Sequence, residues 1–441
     1  MGSLPRRQFA AVFAALFVTA AGNTALQSVL PVIGRQLQVD DLMIALVFSL
    51  SALLWTFSAP YWAQQSDRRG RRKLMQVGVA GFGGSMLLCA TLIHMGLAGV
   101  LSGTWTVILF VIARSIFGVF GSAASPASQA YVAGRTSEAE RTNALATLAS
   151  AFGLGTIIGP AVAPFFVLPV VGLAGPMFAF TAVAVGVFLA LAWLLPDDDP
   201  AHMAAGRGAP GAMPSVGGVG AAASVAGADA ASRGGRMKRM SVRDPRIKSL
   251  MWYGFVIGNI QAATSQALGF FIIDIAHGRI ADAPQLIAVA LMAGAGATLL
   301  AQWGLIRLLR LNPSQLMRWG CVLAAVGTVG VALAQDFHQV VVAFALSCLG
   351  FGFARPGFTA GSSLAVPREE QGGVAGAVTS VNGACFIVAP FVGIGLYKIG
   401  PTLPYWLGAA ALGGLAVYAW ASAQIRAAGT HLDETVADPQ P

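Results

Sequence analysis

Charge is what this chain has least of. Only 10% of its 441 residues are Asp, Glu, Lys or Arg, against about 25% in an ordinary soluble domain. With 56% apolar residues and a mean hydropathy of +0.71, the composition excludes a soluble globular protein. Cysteine is scarce as well. Cys89, Cys321, Cys348 and Cys385 each stand alone in an apolar segment, with no CxxC spacing and no adjacent His. They read as small packing residues, not as disulfides or metal ligands. His94, His202, His277, His338 and His431 show no paired spacing, and a membrane enzyme would need convergent acid, base, nucleophile or metal ligands. No Walker-type phosphate loop occurs, so ATP hydrolysis is not expected. The net charge of +9 is no nucleic-acid footprint, because the cations sit in loops between apolar runs.

What is present is a series of such runs. A bilayer span needs about 20 apolar residues, and twelve runs qualify, near 9–33, 42–62, 74–95, 105–126, 144–166, 172–195, 250–275, 285–306, 319–335, 339–363, 374–397 and 404–424. The fold class expected is an all-α integral membrane protein of twelve transmembrane helices in two pseudo-symmetric six-helix bundles. Arg6-Arg7 followed by an apolar run mimics a signal peptide. With many spans following, it reads as an uncleaved first helix. The expected division is a first bundle over 1–195, a disordered linker over 196–249, a second bundle over 250–425 and a tail over 426–441. The linker opens Pro196-Asp197-Asp198-Asp199-Pro200 and runs through Gly, Ala and Ser to a basic stretch from Arg233 to Lys248, which could rest on anionic lipid headgroups.

Orientation follows from the cations. With both termini and the linker inside, 22 of the 27 Lys and Arg fall on that face. Arg35, Arg279 and Lys398 fall outside, and Arg114 and Arg355 fall within spans. This is a strong positive-inside bias. A repeat at an offset of 230 residues aligns Pro126 with Pro356, Glu140 with Glu370, Gly153 with Gly383, and Pro160 with Pro390. Repeated halves are a common plan of secondary transporters, with the substrate site between them.

Several motifs stand out. Asp67-Arg68-Arg69-Gly70-Arg71-Arg72-Lys73 joins the second and third runs as a tight basic turn. Arg114 lies about ten residues into the fourth run, where a cation costs roughly 2.5–3.5 kcal/mol and usually serves a function; an arginine bonded only to backbone carbonyls is the plain alternative. Gly155, Gly159 and Pro160 permit close packing and a bend in the fifth run. Asn23 and Gln27, four apart, share one helix face, and Asn259 and Gln266, seven apart, share another. Polar side chains in hydrocarbon face the bundle interior, where such pairs serve a ligand or simply glue helices. Trp55, Phe270 and Phe271 could add stacking surface or plain packing. No Asp or Glu lies inside the first six runs, and Asp274, near the outer end of the seventh, is the acid closest to a span interior.

The loop Asp67 to Lys73 resembles the signature loop between helices two and three of the major facilitator superfamily. Arg114-Ser115-Ile116-Phe117-Gly118 resembles its buried-arginine motif, and Gly155-Thr156-Ile157-Ile158-Gly159-Pro160 its antiporter motif. Tyr131–Arg141 is similar to the fourth loop of the tetracycline-exporter type, within the twelve-helix drug:proton antiporter branch. The chain departs from these patterns at Ala63, Phe117 and Ala163, where the family favours Gly, Gln and Gly. The resemblance implies a conformational gate at Asp67, Arg68, Gly70, Arg71 and Arg72, in which Asp67 pairs with neighbouring arginines. It implies coupling through Arg114, with Asp274 a second candidate or merely an interfacial acid. Gly155, Gly159 and Pro160 form its antiporter element, and Asn23, Gln27, Asn259 and Gln266 are candidates for the substrate site. The function expected is proton-coupled efflux of a small organic molecule, a drug or amphipathic metabolite, by a monomer in the bacterial cytoplasmic membrane. Both termini would be cytoplasmic, with no cofactor beyond the proton gradient. An uptake symporter, a siderophore or organic-acid exporter of the same fold and, remotely, a multi-spanning enzyme are the alternatives.

Overall fold

A backbone in hydrocarbon satisfies its hydrogen bonds within helices, and helices joined by short turns make up this chain. The computed structural model describes residues 4–198, 240–276, 282–367 and 370–428; at 67, 138, 139, 142 and 372 it describes the backbone alone. The first half holds α1 (Arg6–Gln36), α2 (Asp41–Arg69), α3 (Arg71–Leu97), α4 (Gly103–Phe120), α5 (Ala124–Ala133), α6 (Glu138–Val162) and α7 (Gly175–Leu194). A 3-10 turn, Gly121–Ala123, joins α4 to α5. The second half begins with α8 (Lys248–Ile275) and α9 (Ala283–Leu299), then a π-helical turn (Leu300–Leu305) and α10 (Ile306–Leu309). It continues with α11 (Pro313–Leu333), α12 (Phe337–Leu364), α13 (Gln371–Ile399), α14 (Leu403–Ala421) and α15 (Ala423–Ala427).

Among the described residues, eleven helical segments are long and apolar enough to cross a membrane, the unit Gly103–Arg135 counting once. The twelfth is α14, 19 residues without a charge, whose Pro404, Tyr405, Trp406 and three glycines dilute its hydropathy. Among the described residues, the chain is thus an all-helical, multi-span membrane protein with twelve membrane-spanning segments.

The helices outrun the apolar runs that announce them. The second run ends near residue 62, yet α2 continues to Arg69 and α3 begins at Arg71, so the expected turn shrinks to Gly70 alone. Gly70 has φ +93° and ψ 142°, a conformation only glycine adopts without strain. The fourth run, expected to end at 126, continues as α5 to Ala133, with the 3-10 turn at Gly121–Ala123 just ahead of Pro126, which has no N–H to give to a helix. Of the expected linker, 199–239 lie outside the described residues, as do 429–441 of the tail. Its two ends are ordered: 196–198 lie against α3, and α8 begins at Lys248.

Packing relies on small residues, as it must where lipid competes with apolar side chains. A Cβ on Gly78 of α3 would lie 2.6 Å from Ala124 Cβ, and one on Gly350 of α12 2.7 Å from the Gly320 carbonyl of α11. Large apolar residues such as Trp193, Phe165, Trp252 and Trp303 point outward, as a lipid-facing surface requires.

The halves meet where α2 packs on α13, α6 on α9 and α1 on α8. Here the repeat becomes physical. A Cβ on Gly153 of α6 would stand 3.4 Å from Leu299 of α9, and one on its counterpart Gly383 of α13 3.3 Å from Thr56 of α2. Both glycines thin a helix at a seam between halves.

Candidate functional site

The end of the bundle where α1 stops and α2 starts, here the far end, is tied by charge across the halves. Arg35 of α1 pairs with Asp41 of α2 at 3.3 Å and with Asp274 of α8 at 3.5 Å. The Tyr397 hydroxyl of α13 donates to Asp274 as well. Lys398 donates to Asp40 at 2.5 Å, and that hydrogen bond, helped by the Leu42 N–H, holds the Asp40 carboxyl below its ordinary range. Asp274 is therefore seated in an interfacial ion-pair cluster, with its side chain 43% exposed.

Just beneath this tie lies a small cavity at the seam. Its wall includes Gln27 of α1, Phe48 of α2, Ser265, Gln266 and Phe270 of α8, and Ile394 of α13. The Arg35 guanidinium stands 5.8 Å from the Phe270 ring, which fixes the cavity directly under the far-end cluster. The structure thus brings Gln27 and Gln266 to one cavity, from opposite halves.

Asn23 and Asn259, expected on the same faces, are engaged elsewhere. Asn23 accepts a hydrogen bond from Arg114, which is 1% exposed, with its carbon 4.1 Å from the Phe117 ring. Phe117 in turn packs on Trp55 at 5.2 Å and Phe82 at 5.7 Å. Trp55 serves this aromatic cluster and Phe271 packs on Tyr405, so Phe270 alone of the three aromatics lines the cavity. Asn259 donates to the Phe255 carbonyl at 2.8 Å and to Cys385 Sγ at 3.4 Å. A second buried cation, Arg355 of α12, donates to Asn382 of α13 at 3.3 Å. Arg355 is visible in the sequence as a charge within a span, but its partner across 27 residues is not.

Gly155 and Gly159 press α6 onto α1. A Cβ on Gly155 would stand 2.7 Å from Ala20, one on Gly159 would collide with the Ala21 carbonyl, and Thr24 donates to the Gly155 carbonyl at 3.2 Å. Pro160 follows within α6, and the helix turns to 3-10 geometry at Ala163–Phe166. This packs the glycine face against the helix that carries Asn23 and Gln27.

At the opposite, basic end the expected gate residues have partners that the sequence does not announce. The Asp67 side chain lies outside the described residues. Asp198, two residues past Pro196, is 1% exposed in its side chain and accepts from Arg135 at 2.7 Å and from the backbone N–H of Arg71. Arg72 pairs with Asp197 at 3.3 Å, and the Arg135 carbon lies 3.7 Å from the Tyr131 ring. Gly70 precedes α3 and has no side chain to cap it. Asp198 supplies that cap from the end of α7, placing negative charge at a helix N-terminus where it is favoured. Arg68, Arg69 and Lys73 are exposed, whereas Arg71 is buried. In the second half, Arg246 joins Asp244 at 3.0 Å to Glu370 at 2.6 Å, tying the start of α8 to the start of α13.

Two helical halves with a cavity at their seam and charge clusters at both ends are the plan on which many membrane transporters are built. The chain belongs to the Major Facilitator Superfamily, whose family model matches residues 12–390. Among curated proteins it is 28% identical over 149 residues to the multidrug resistance protein MdtG of Proteus mirabilis (strain HI4320), covering 33% of this chain and 34% of that one. It is 28% identical over 160 residues to MdtG of Escherichia coli (strain 55989 / EAEC), covering 35% and 36%. The match thus spans about a third of the length of these relatives. A crystal structure of the human organic anion transporter MFSD10 (TETRAN) superposes with a TM-score of 0.63 at 18% identity, covering 94% of this chain and 100% of that one. The proton:xylose symporter XylE gives a TM-score of 0.58 at 12% identity, covering 94% of each. Identities this low speak for the fold alone.

Proposed function

We propose that the chain exports a small organic molecule, a drug or amphipathic metabolite, in exchange for protons. It does so as a monomer in a bacterial cytoplasmic membrane, with the basic end and both termini cytoplasmic and no cofactor beyond the proton gradient. The observation that carries this reading is the contact of Gly155 and Gly159 with α1. A change of bend at Pro160 would move the helix that bears Gln27 and so reshape the cavity. The MdtG stretch and the positive-inside bias support the same reading.

In this account the halves rock about the seam. The Arg35–Asp274 and Lys398–Asp40 pairs hold the far, outward end shut in one conformer and part in the other. Asp67, Arg68, Gly70, Arg71 and Arg72 gate the cytoplasmic end, with Asp198 bracing their corner. Gln27 and Gln266 contact the solute, while Arg114 and Asp274 link solute and proton movements. The experiment is flux of drugs and dyes in inverted membrane vesicles energised acid inside. Wild type should release protons when substrate is added, and Asp67→Asn and Arg114→Ala should abolish that release. Uptake driven by the opposite gradient would replace this reading with a symporter.

A further inference from the structure

Within α4 the first half buries the Arg114 cation with no anion beside it among the described residues. Among the described residues, the one side-chain acceptor for the Arg114 guanidinium is the neutral amide of Asn23, and its Nε and Nη1 have no acceptor. The second half repeats this by a different construction. Arg355 is 1% exposed, donates to the amide of Asn382 at 3.3 Å, and its Nε has no acceptor. Gly258 of α8 makes the room, since a Cβ there would stand 3.3 Å from one terminal nitrogen of Arg355 and 3.4 Å from the other. The Nδ2 of Asn382 is also without an acceptor.

Among the described residues, no carboxylate is placed to compensate either cation. The acids within α1 to α14 fall in their first or last turns, and every ion pair among the described residues joins groups near helix ends or in turns. Full desolvation of a guanidinium without a counter-charge is unfavourable, and charges kept inside a membrane bundle mark substrate or ion paths.

Both cations lie on the basic side of the Gln27–Gln266 cavity. Asn23 is one turn of α1, about 6 Å, from Gln27, and Gly258 is two turns of α8, about 12 Å, from Gln266. Asn382 adjoins Gly383, which meets Thr56 of α2 at the seam. Between the basic end and the cavity, the bundle interior thus holds one buried guanidinium from each half, neutral amides and, among the described residues, no acid.

We propose that the transported solute is an organic anion, its carboxylate or sulfonate taken in turn by the unused N–H groups of Arg355 and Arg114. This rests on the transporter reading of the seam and names its substrate class. Charge-assisted hydrogen bonds to an acidic group would complete both guanidinium shells, whereas a cationic solute would meet two like charges in a low-dielectric passage.

The test is counterflow exchange in proteoliposomes holding the purified protein. A labelled panel of aryl, alkyl and hydroxy carboxylates and sulfonates is set against ammonium analogues of matched size. Wild type should exchange members of the anionic panel and discriminate against their cationic analogues. Arg114→Gln and Arg355→Gln should each raise the half-saturating concentration about ten- to hundredfold, the worth of one charged hydrogen bond, with Lys at either position restoring part of it. Preference for the cationic series, or exchange of no anion by wild type, overturns the proposal whatever the variants do. Counterflow needs no proton gradient, so anion exchange without gradient-driven export would remove the exporter reading and leave the anion site standing.

Discussion

Replacing Asp198 by Asn would take one charge from a side chain only 1% exposed and loosen the corner between α2 and α3. The carboxylate meets Arg135 at 2.7 Å and accepts the first N–H of α3. An amide keeps one acceptor oxygen but turns an N–H donor toward one of two other donors. Losing one charge-assisted bond costs about 1.5–3 kcal/mol, and stranding Arg135, itself 8% exposed, moves the total toward the roughly 3–5 kcal/mol of a broken buried pair. The Tyr131 ring, 3.7 Å from Arg135, retains part of the cation's stabilisation, so about 2–4 kcal/mol is expected. At roughly 2–4 °C per kcal/mol for a unit of about 200 residues, the Tm of the purified protein in detergent should fall by about 5–15 °C. Asp197→Asn is the control, because that side chain is 74% exposed and such pairs are worth about 0–1 kcal/mol. Equal effects of the two substitutions would refute the argument. So would strict additivity of Asp198→Asn with Arg135→Gln, since bonded partners must couple.

Gly70→Ala should cost about 1–3 kcal/mol from backbone conformation alone, because the new methyl has room, its nearest neighbour being Asp198 Oδ2 at 3.8 Å. Gly84→Ala, with nothing near its Cβ, should leave the Tm unchanged or raise it slightly. Gly159→Val would drive a branched side chain into the Ala21 carbonyl and Thr24 hydroxyl; an overpacking cost of about 1–3 kcal/mol should appear as a lower Tm together with lost flux. For pH, the Asp40 carboxyl is depressed by its hydrogen bond from Lys398. The stability it contributes is fully present above the ordinary value of about 3.9 and fades only as pH falls through the depressed one. The Tm difference between wild type and Asp40→Asn should therefore be constant from pH 8 to pH 5 and shrink only in stronger acid.

The sequence reaches as far as properties carried by neighbouring residues. Twelve spans and the basic loops between them are legible because hydropathy and positive charge are local. The meeting of Gln27 and Gln266 follows from two helix faces being forced inward. The same logic puts Asn23 beside Gln27 but cannot say that Arg114, 91 positions away, claims it. Helix ends are misjudged where the chain leaves hydrocarbon, since α2 needs no apolar run for its last seven positions once water can surround their polar side chains. Asp198 itself sits in a run of acids, Pro and Gly whose composition reads as linker. Only the pairing of chain segments more than 120 residues apart makes it a buried cap. The paired cations take partners that a local reading of the sequence does not reach. Arg35 reaches Asp274, Lys398 reaches Asp40, and Arg135 reaches Asp198. Arg114 and Arg355 reach only neutral amides, and that contrast with the paired clusters at the helix ends singles them out for an acidic solute.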